Sequence, residues 1–166
     1  ILDSEKYGSD NRGEGKTVVL DYSSPNVAKP FHIGHLGTTV IGHSLKRIHE
    51  YFGYKCIGIN YLGDWGTQFG KLIVAYKLWS SEDKVKEKGI EELLRIYVKF
   101  NDESKKDDSL IIKAREWFVK MEQNDQEALS YWNWFKEISM IEFERVYDLL
   151  GISFDSYLGE SFYRDK

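Results

Sequence analysis

The chain has a single cysteine, Cys56, among its 166 residues. An internal disulfide is thereby excluded, and with no signal-like apolar segment a reducing, cytoplasmic setting is expected. Cys56 lies between Lys55 and Ile57 in a strand-like run, so it reads as a small buried hydrophobe rather than a nucleophile. No run approaches the ~20 apolar residues of a membrane helix, and no membrane partner is expected. Excess basic charge is also missing: 23 Lys and Arg stand against 27 Asp and Glu, a formal net charge of −4. A dedicated RNA-binding module is disfavoured, though not an enzyme that takes RNA as a substrate. Proline is scarce, and both copies, Pro25 and Pro30, fall in one stretch, which they mark as an extended loop.

Aromatic residues are plentiful, with 5 Trp, 11 Tyr and 9 Phe, enough to dominate a buried core. Charged residues make up 30% and are evenly mixed with apolar ones, which argues against disorder. Residues 1–16 are polar, carry Gly8, Gly13 and Gly15, and read as a lead-in or flexible arm. Thr17-Val18-Val19-Leu20, ending at Asp21, reads as a buried strand. Leu36, Val40, Ile41, Leu45, Ile48 and Phe52 then form one apolar helix face, closed by Gly53. Tyr54 to Asn60 is a second apolar strand. Strand, helix and strand make a βαβ unit with a parallel pair.

After Gly63-Asp64-Trp65-Gly66 the pattern turns helical. Phe69, Leu72, Ile73 and Tyr76 open the run, and Leu93, Leu94, Tyr97 and Val98 suggest another helix. Leu110, Ile111, Ala114, Trp117, Phe118 and Met121 form a clear amphipathic stripe. Asn124 with Glu127 is expected to make a capping box for a last helix, ended by Gly151. The aromatic and Met stripe from Trp117 to Phe143 reads as packing core. The division expected is a nucleotide-binding half over 1–66, a helical insertion over 67–150, and a return toward the sheet over 151–166. The fold class is α/β, a partial Rossmann-like parallel sheet with an all-helical insertion. A sheet of so few strands reads as part of a larger domain, with an exposed strand edge.

The loop from Pro25 to His35 joins the first strand to the first helix, the place where open parallel sheets bind ligands. His32-Ile33-Gly34-His35 stands at the helix mouth, where free backbone N–H groups and the dipole favour phosphate. Two imidazoles add donors, and Gly34 lets a base or ribose approach the backbone. Such a site suits a reaction that builds charge on a phosphoryl group. His43 and His49 share the segment, yet no third ligand at a recognised spacing accompanies any His pair, so no metal site is expected. Both read as solvent-facing or half-buried structural residues.

His32-Ile33-Gly34-His35 resembles the signature element of class I aminoacyl-tRNA synthetases. Asp21 to Pro30 is similar to the arginyl-tRNA synthetase form of its surroundings, as are Gly63 to Gly70, Ala114 to Phe118 and Gly151 to Asp155. The resemblance covers residues 17–166. It implies the first half of a synthetase catalytic domain that activates L-arginine with ATP, accompanied by Mg²⁺, and transfers it to tRNA(Arg). By the same resemblance His32, His35 and Lys29 are catalytic, and His32, Gly34, His35 and Lys29 bind ATP. Asp21, Ser24, Pro25, Asn26 and His35 line the arginine site, with Asp21 facing the guanidinium. Lys29 stands where a lysine offsets the lack of an ordinary Lys-Met-Ser-Lys-Ser loop. Gly63 to Gly66 is either a plain tight turn or a wall of the substrate cleft.

Two positions depart from the family pattern. Gly37 replaces a usual arginine, and His43 replaces a usual Asp or Asn. The glycine also costs the helix ~1 kcal/mol relative to alanine. The competing readings are another His-x-Gly-His nucleotidyltransferase and a non-catalytic nucleotide-binding fragment. The helical stretch over 67–150 and the string Asp21 to Asn26 favour the synthetase.

Overall fold

The computed structural model describes residues 6–164. β1 (Thr17–Asp21) and β2 (Lys55–Ile59) form a parallel pair in the register Thr17↔Lys55 to Asp21↔Ile59. A parallel pair needs a crossover, and α1 (Ile33–Tyr51) supplies it. Five helices follow: α2 (Thr67–Trp79), α3 (Glu82–Lys88), α4 (Ile90–Glu103), α5 (Ser109–Glu122) and α6 (Gln126–Leu150). The chain then returns to β2 through one parallel bridge, Ile59↔Ser156, and a short 3-10 turn over Glu160–Tyr163. The expected return to the sheet is thus a single bridge, with Asp155 N–H on Gly58 O at 2.9 Å and Asn60 N–H on Ser156 O at 2.9 Å.

The core lies among the helices rather than on the sheet. Phe69, Leu72 and Ile73 of α2, Leu93, Ile96 and Phe100 of α4, Met121 of α5, and Phe135 and Phe143 of α6 have no solvent exposure. Val27, Ala28 and Leu62, from the loops after β1 and β2, belong to the same cluster. α2 meets α5 closely enough that a Cβ on Gly70 would lie 2.0 Å from Ala114 O, so only glycine fits that crossing. The expected packing stripe over Trp117 to Phe143 is observed: Met121, Phe135 and Phe143 are buried and Trp117 and Phe118 half-buried.

Several expectations are corrected. α1 does not turn its apolar stripe inward: Val40, Ile41, Leu45 and Ile48 are exposed, Ile41 by 64%. The helix instead seats Thr39 and Gly42 against the strands, with Gly42 so close to Tyr22 that a Cβ would come within 2.2 Å of it. Amphipathic spacing marks the face that prefers burial, but among the described residues no element covers that face. β1 is likewise not buried, Val19 being 58% exposed. Among the described residues the strand has a partner on one edge only, which leaves the other edge open as expected. The last helix is capped by Asp125, whose side chain accepts from Ala128 N–H at 2.9 Å. Asn124, the expected cap, instead takes a left-handed φ of 61° just before it. Gly151, with φ 64°, closes α6 as anticipated. Within the arm, residues 1–5 lie outside the described residues, but the segment around Gly13 is docked rather than loose. Gly13 N–H donates to Phe52 O at 2.9 Å, and the Arg12 guanidinium lies 4.7 Å from the Phe52 ring centroid.

Candidate active-site loop

The loop between β1 and α1 contains three non-glycine residues in left-handed backbone: Ser23 (φ 71°), Ser24 (φ 47°) and Ala28 (φ 66°). Each such residue costs on the order of 1–3 kcal/mol and persists only where its surroundings over-determine it. Here they do. Ser24 N–H donates to Asn60 Oδ1 at 3.0 Å, and Ser24 Oγ donates to Asp21 Oδ1 at 2.6 Å. Ala28 N–H donates to Ser139 Oγ of α6 at 2.9 Å. Val27 N–H on Gly63 O at 3.0 Å and Gly63 N–H on Pro25 O at 3.1 Å tie the loop to the segment after β2.

Beneath the loop runs a buried chain of hydroxyls. Thr39 Oγ1 lies 2.6 Å from His35 O and 2.7 Å from Ser23 Oγ, Ser23 Oγ lies 2.7 Å from Tyr147 OH, and Asn60 Nδ2 lies 3.0 Å from that phenol. Thr39 has one proton, and His35 O can only accept. One assignment therefore satisfies every group: Asn60 donates to Tyr147, Tyr147 to Ser23, Ser23 to Thr39, and Thr39 to His35 O. Fully satisfied buried networks of this kind rigidify their surroundings. The aromatic rings of Phe31, Phe143 and Tyr147 close the same space, Phe31 meeting Tyr147 edge-on at 5.8 Å and Phe143 at 6.4 Å.

His32 is the N-cap of α1, and His35 completes a reciprocal cap. Gly34 N–H donates to His32 Nδ1 at 3.1 Å, and His32 N–H donates to His35 Nδ1 at 3.4 Å. A nitrogen that accepts carries no proton, so both neutral rings hold theirs on Nε2. The rings stack with centroids 3.7 Å apart, and burial pushes His35 below the usual imidazole range, helped by His32 and Lys29. The pair thus presents two neutral Nε2–H donors at a helix N-terminus. A Cβ at Gly34 would press on the His32 ring at 3.0 Å, so the glycine protects this cap.

The residues expected at the site fall into three groups. Asp21 and Ser24 are hydrogen-bonded to one another at the end of β1. His32 and His35 form the capping pair. Asn26 and Lys29 line a polar hollow of about 190 Å³ with Thr67, Gln68, Lys71 and Tyr97, and that hollow includes neither histidine nor Asp21. Pro25 is buried. A wider groove, about 810 Å³, lies elsewhere, between Tyr7 and the C-terminal half of α1, and its lining shares no residue with these groups. Among the described residues no three His, Cys, Asp or Glu side chains gather as a metal site. His43 and His49 are half-buried, as anticipated. Cys56 is only half-buried, its thiol pushed up mainly by burial.

A family model described as tRNA synthetases class I (R), catalytic domain, matches residues 1–166. The chain belongs to the class I arginyl-tRNA synthetases. It is 57% identical over 162 residues to an arginine–tRNA ligase of Alkaliphilus metalliredigens, covering 98% of this chain and 29% of that protein. With the arginine–tRNA ligase of Clostridium perfringens it shares 58% identity over 166 residues, covering 100% and 29% respectively. The arginyl-tRNA synthetase of Plasmodium falciparum superposes with a TM-score of 0.72 at 34% identity, over 94% of this chain and 25% of that one. That of Thermus thermophilus, at 22% identity, shares the fold with a TM-score of 0.67, over 92% and 24%. The chain spans about 29% of the length of the first two relatives.

For this arginyl-tRNA synthetase segment, sequence reasoning missed the anchors. Asp64 lies in the stretch whose spacing fits a tight turn or a cleft wall. It is fully buried, pairs with Lys136 Nζ, and accepts from Ser161 N–H at 2.8 Å and Ser161 Oγ at 2.7 Å. Trp132 Nε1 donates to its backbone oxygen at 2.7 Å. The motif therefore clamps the end of β2 to α6 and to the closing turn. The flanking glycines signalled a special backbone, but nothing local signalled partners on α6. Ser139, Tyr147, Asn60 and Thr39 were missed for the same reason. Among the described residues no helix is long and apolar enough to cross a membrane.

Proposed function

We propose that the protein carrying this chain activates L-arginine with ATP to arginyl-adenylate and transfers the arginyl group to tRNA(Arg). The observation that carries this reading is the pair of neutral Nε2–H donors of His32 and His35 at the mouth of α1, three residues beyond Lys29. The arginine carboxylate attacks the α-phosphorus of ATP, the bond to the β-phosphate oxygen breaks, and pyrophosphate leaves. Negative charge grows on the phosphoryl oxygens in that step, and preorganised donors stabilise it without reorganising at the moment of reaction. Lys29 adds a positive charge on the same loop. Mg²⁺ enters with ATP as part of the substrate. Gly34 keeps the first turn of α1 open to the nucleotide.

At the other end of the loop, Asp21 offers a carboxylate to the substrate guanidinium, a planar fork suited to that acceptor. Ser24 holds the Asp21 carboxylate in place, Pro25 stiffens the turn, and Asn26 and His35 complete the arginine side. A cytoplasmic location suits the single thiol. The helical stretch is an insertion that carries the loop's anchors. Calorimetric titration of the chain with arginine, lysine, ATP and a non-hydrolysable arginyl-adenylate analogue tests the proposal. Arginine should bind in preference to lysine, and Asn26→Ala should abolish that preference. Equal responses to the two amino acids would refute it.

A further inference from the structure

The helical bundle already holds ammonium groups of its own over aromatic rings. Lys77 Nζ lies 4.7 Å from the Trp117 ring centroid and 5.2 Å from that of Tyr131, with Glu127 Oε1 at 2.6 Å. Lys120 Nζ lies over the same Trp117 ring at 4.3 Å. Two rings and a carboxylate thus hold the Lys77 cation. The row of rings continues beyond Tyr131. Tyr76 of α2 meets Tyr131 at 5.4 Å and 54°, and meets Trp134 at 5.4 Å and 86°, so the rings stand at steep angles to one another. With Glu82 of α3 and Ser130 of α6 they line a hollow of about 350 Å³. Three rings and one carboxylate repeat the composition found around Lys77. Here, among the described residues, no Lys or Arg lies over Tyr76 or Trp134.

We propose that this hollow binds a methylated ammonium head group, such as that of choline, as a small solute. Ring faces attract a cation that comes close to them. A primary ammonium is strongly hydrated and must exchange its water for hydrogen-bond acceptors, as Lys77 does with Glu127. In the hollow that acceptor is engaged, because Lys86 Nζ holds Glu82 Oε1 at 2.5 Å. A methylated head has no such demand and needs only the ring faces and a nearby acid. Burial first, then Tyr131 and Glu82, with Asp83 adding to them, push the Tyr76 phenol above its usual range against Lys77. The acids of α3 therefore face this wall. Phe135, fully buried, backs Tyr76 at 5.9 Å and fixes its ring. Glu82 and Ser130 make an exposed polar rim, which suits a solute rather than the acyl chains of a lipid. None of these residues belongs to the loop between β1 and α1, so the site stands apart from the adenylation reading.

An NMR titration of the chain with choline tests the site, read both on the choline methyl line and on the Trp134 indole N–H. Tetramethylammonium, ammonium and the neutral tert-butyl analogue of choline are titrated beside it. Choline and tetramethylammonium should bind saturably and shift the Trp134 signal, and ammonium and the neutral analogue should bind at least about fivefold more weakly. Trp134→Leu should weaken choline about fivefold or more and Glu82→Gln about twofold, the latter on the exposed rim where the fold does not depend on it. Lys86→Gln should not weaken it. Circular dichroism establishes that the variants remain folded, and an unfolded Trp134→Leu leaves Glu82→Gln and the ligand series to decide. Binding of the neutral analogue as tight as that of choline overturns the proposal and leaves an apolar hollow only. Equal binding of ammonium overturns the methylated class. Choline affinity indifferent to both Trp134 and Glu82, or no saturable binding, overturns the site. Cosedimentation with phosphatidylcholine vesicles while free choline fails to bind overturns the solute assignment.

Discussion

Between residues 67 and 150 the helices bury Phe69, Phe100, Phe135 and Phe143 completely, whereas β1 and α1 leave Val19, Ile41 and Leu45 largely in solvent. The region that holds the histidine pair is thus the less buried of the two. Its geometry comes from the other region. Ser139 and Tyr147 of α6 reach across to Ala28 and Ser23, and Lys136 reaches to Asp64. A loop with three left-handed residues needs a rigid neighbour, and a half-exposed two-stranded sheet is a poor one. The helical bundle acts as the scaffold of the loop, beyond filling space.

The largest effects should come from that scaffold. Phe135→Ala should destabilise the fold by about 3–5 kcal/mol, as large aromatic truncations in packed cores do. Ile41→Ala on the exposed stripe of α1 should stay within about 0.5 kcal/mol. Urea unfolding of the two variants measures the contrast, and equal losses would erase it. Lys136→Met should cost about 3 kcal/mol, because it leaves the Asp64 carboxylate buried without its cation; the midpoint of thermal unfolding reports this.

Tyr147→Phe comes next. It removes one hydroxyl and leaves Ser23 and Asn60 each short of a partner in a buried space, at a cost of about 1–3 kcal/mol. Its effect on arginine binding should exceed that of a variant of equal stability elsewhere in the core, because the loop loses its brace. Matched calorimetry of Tyr147→Phe and Ile96→Val separates bracing from simple destabilisation.

The helical region also has a pH signature of its own. The Arg95 guanidinium holds the Glu92 carboxyl down to about 2, against an ordinary value of 4.5, with burial opposing and Ser80 assisting. A carboxyl depressed in the folded state stabilises above its unfolded value, and the contribution fades as pH falls through the folded one. The stability gap between wild type and Glu92→Gln should therefore be level above pH 4.5 and shrink between there and about 2. Denaturant midpoints across that window measure it. The smallest effect is a gain: a Cβ at Gly37 meets nothing within 4 Å, so Gly37→Ala should stabilise α1 by about 0.5–1 kcal/mol. The same open space accepts the arginine usual in the family, and a melting temperature that falls for Gly37→Ala would mean the site is tighter than it stands.

Local signals carried much of this. The βαβ unit, the helical run and the stop at Gly151 are written in spacing and glycine placement, which a sequence displays directly. The place of the histidine pair at the mouth of α1 was legible for the same reason. What the pattern lacked was partners. The stripe on α1 shows a preference for burial, and burial depends on a neighbour that spacing does not encode. At the α6 cap, Asn124 and Asp125 are both good candidates, and the left-handed backbone of Asn124 passed the role to Asp125. Asp64 meets Lys136 across 72 positions and Ser23 meets Tyr147 across 124, separations over which no local rule operates.

Native-state hydrogen exchange tests most directly whether the helices hold the loop. The amides of Ser24 and Ala28, bonded to Asn60 and Ser139, should open together with the buried turns of α6 and be better protected than the amides pairing β1 with β2. If they exchange as fast as those of the sheet, or faster, the loop is not braced by α6.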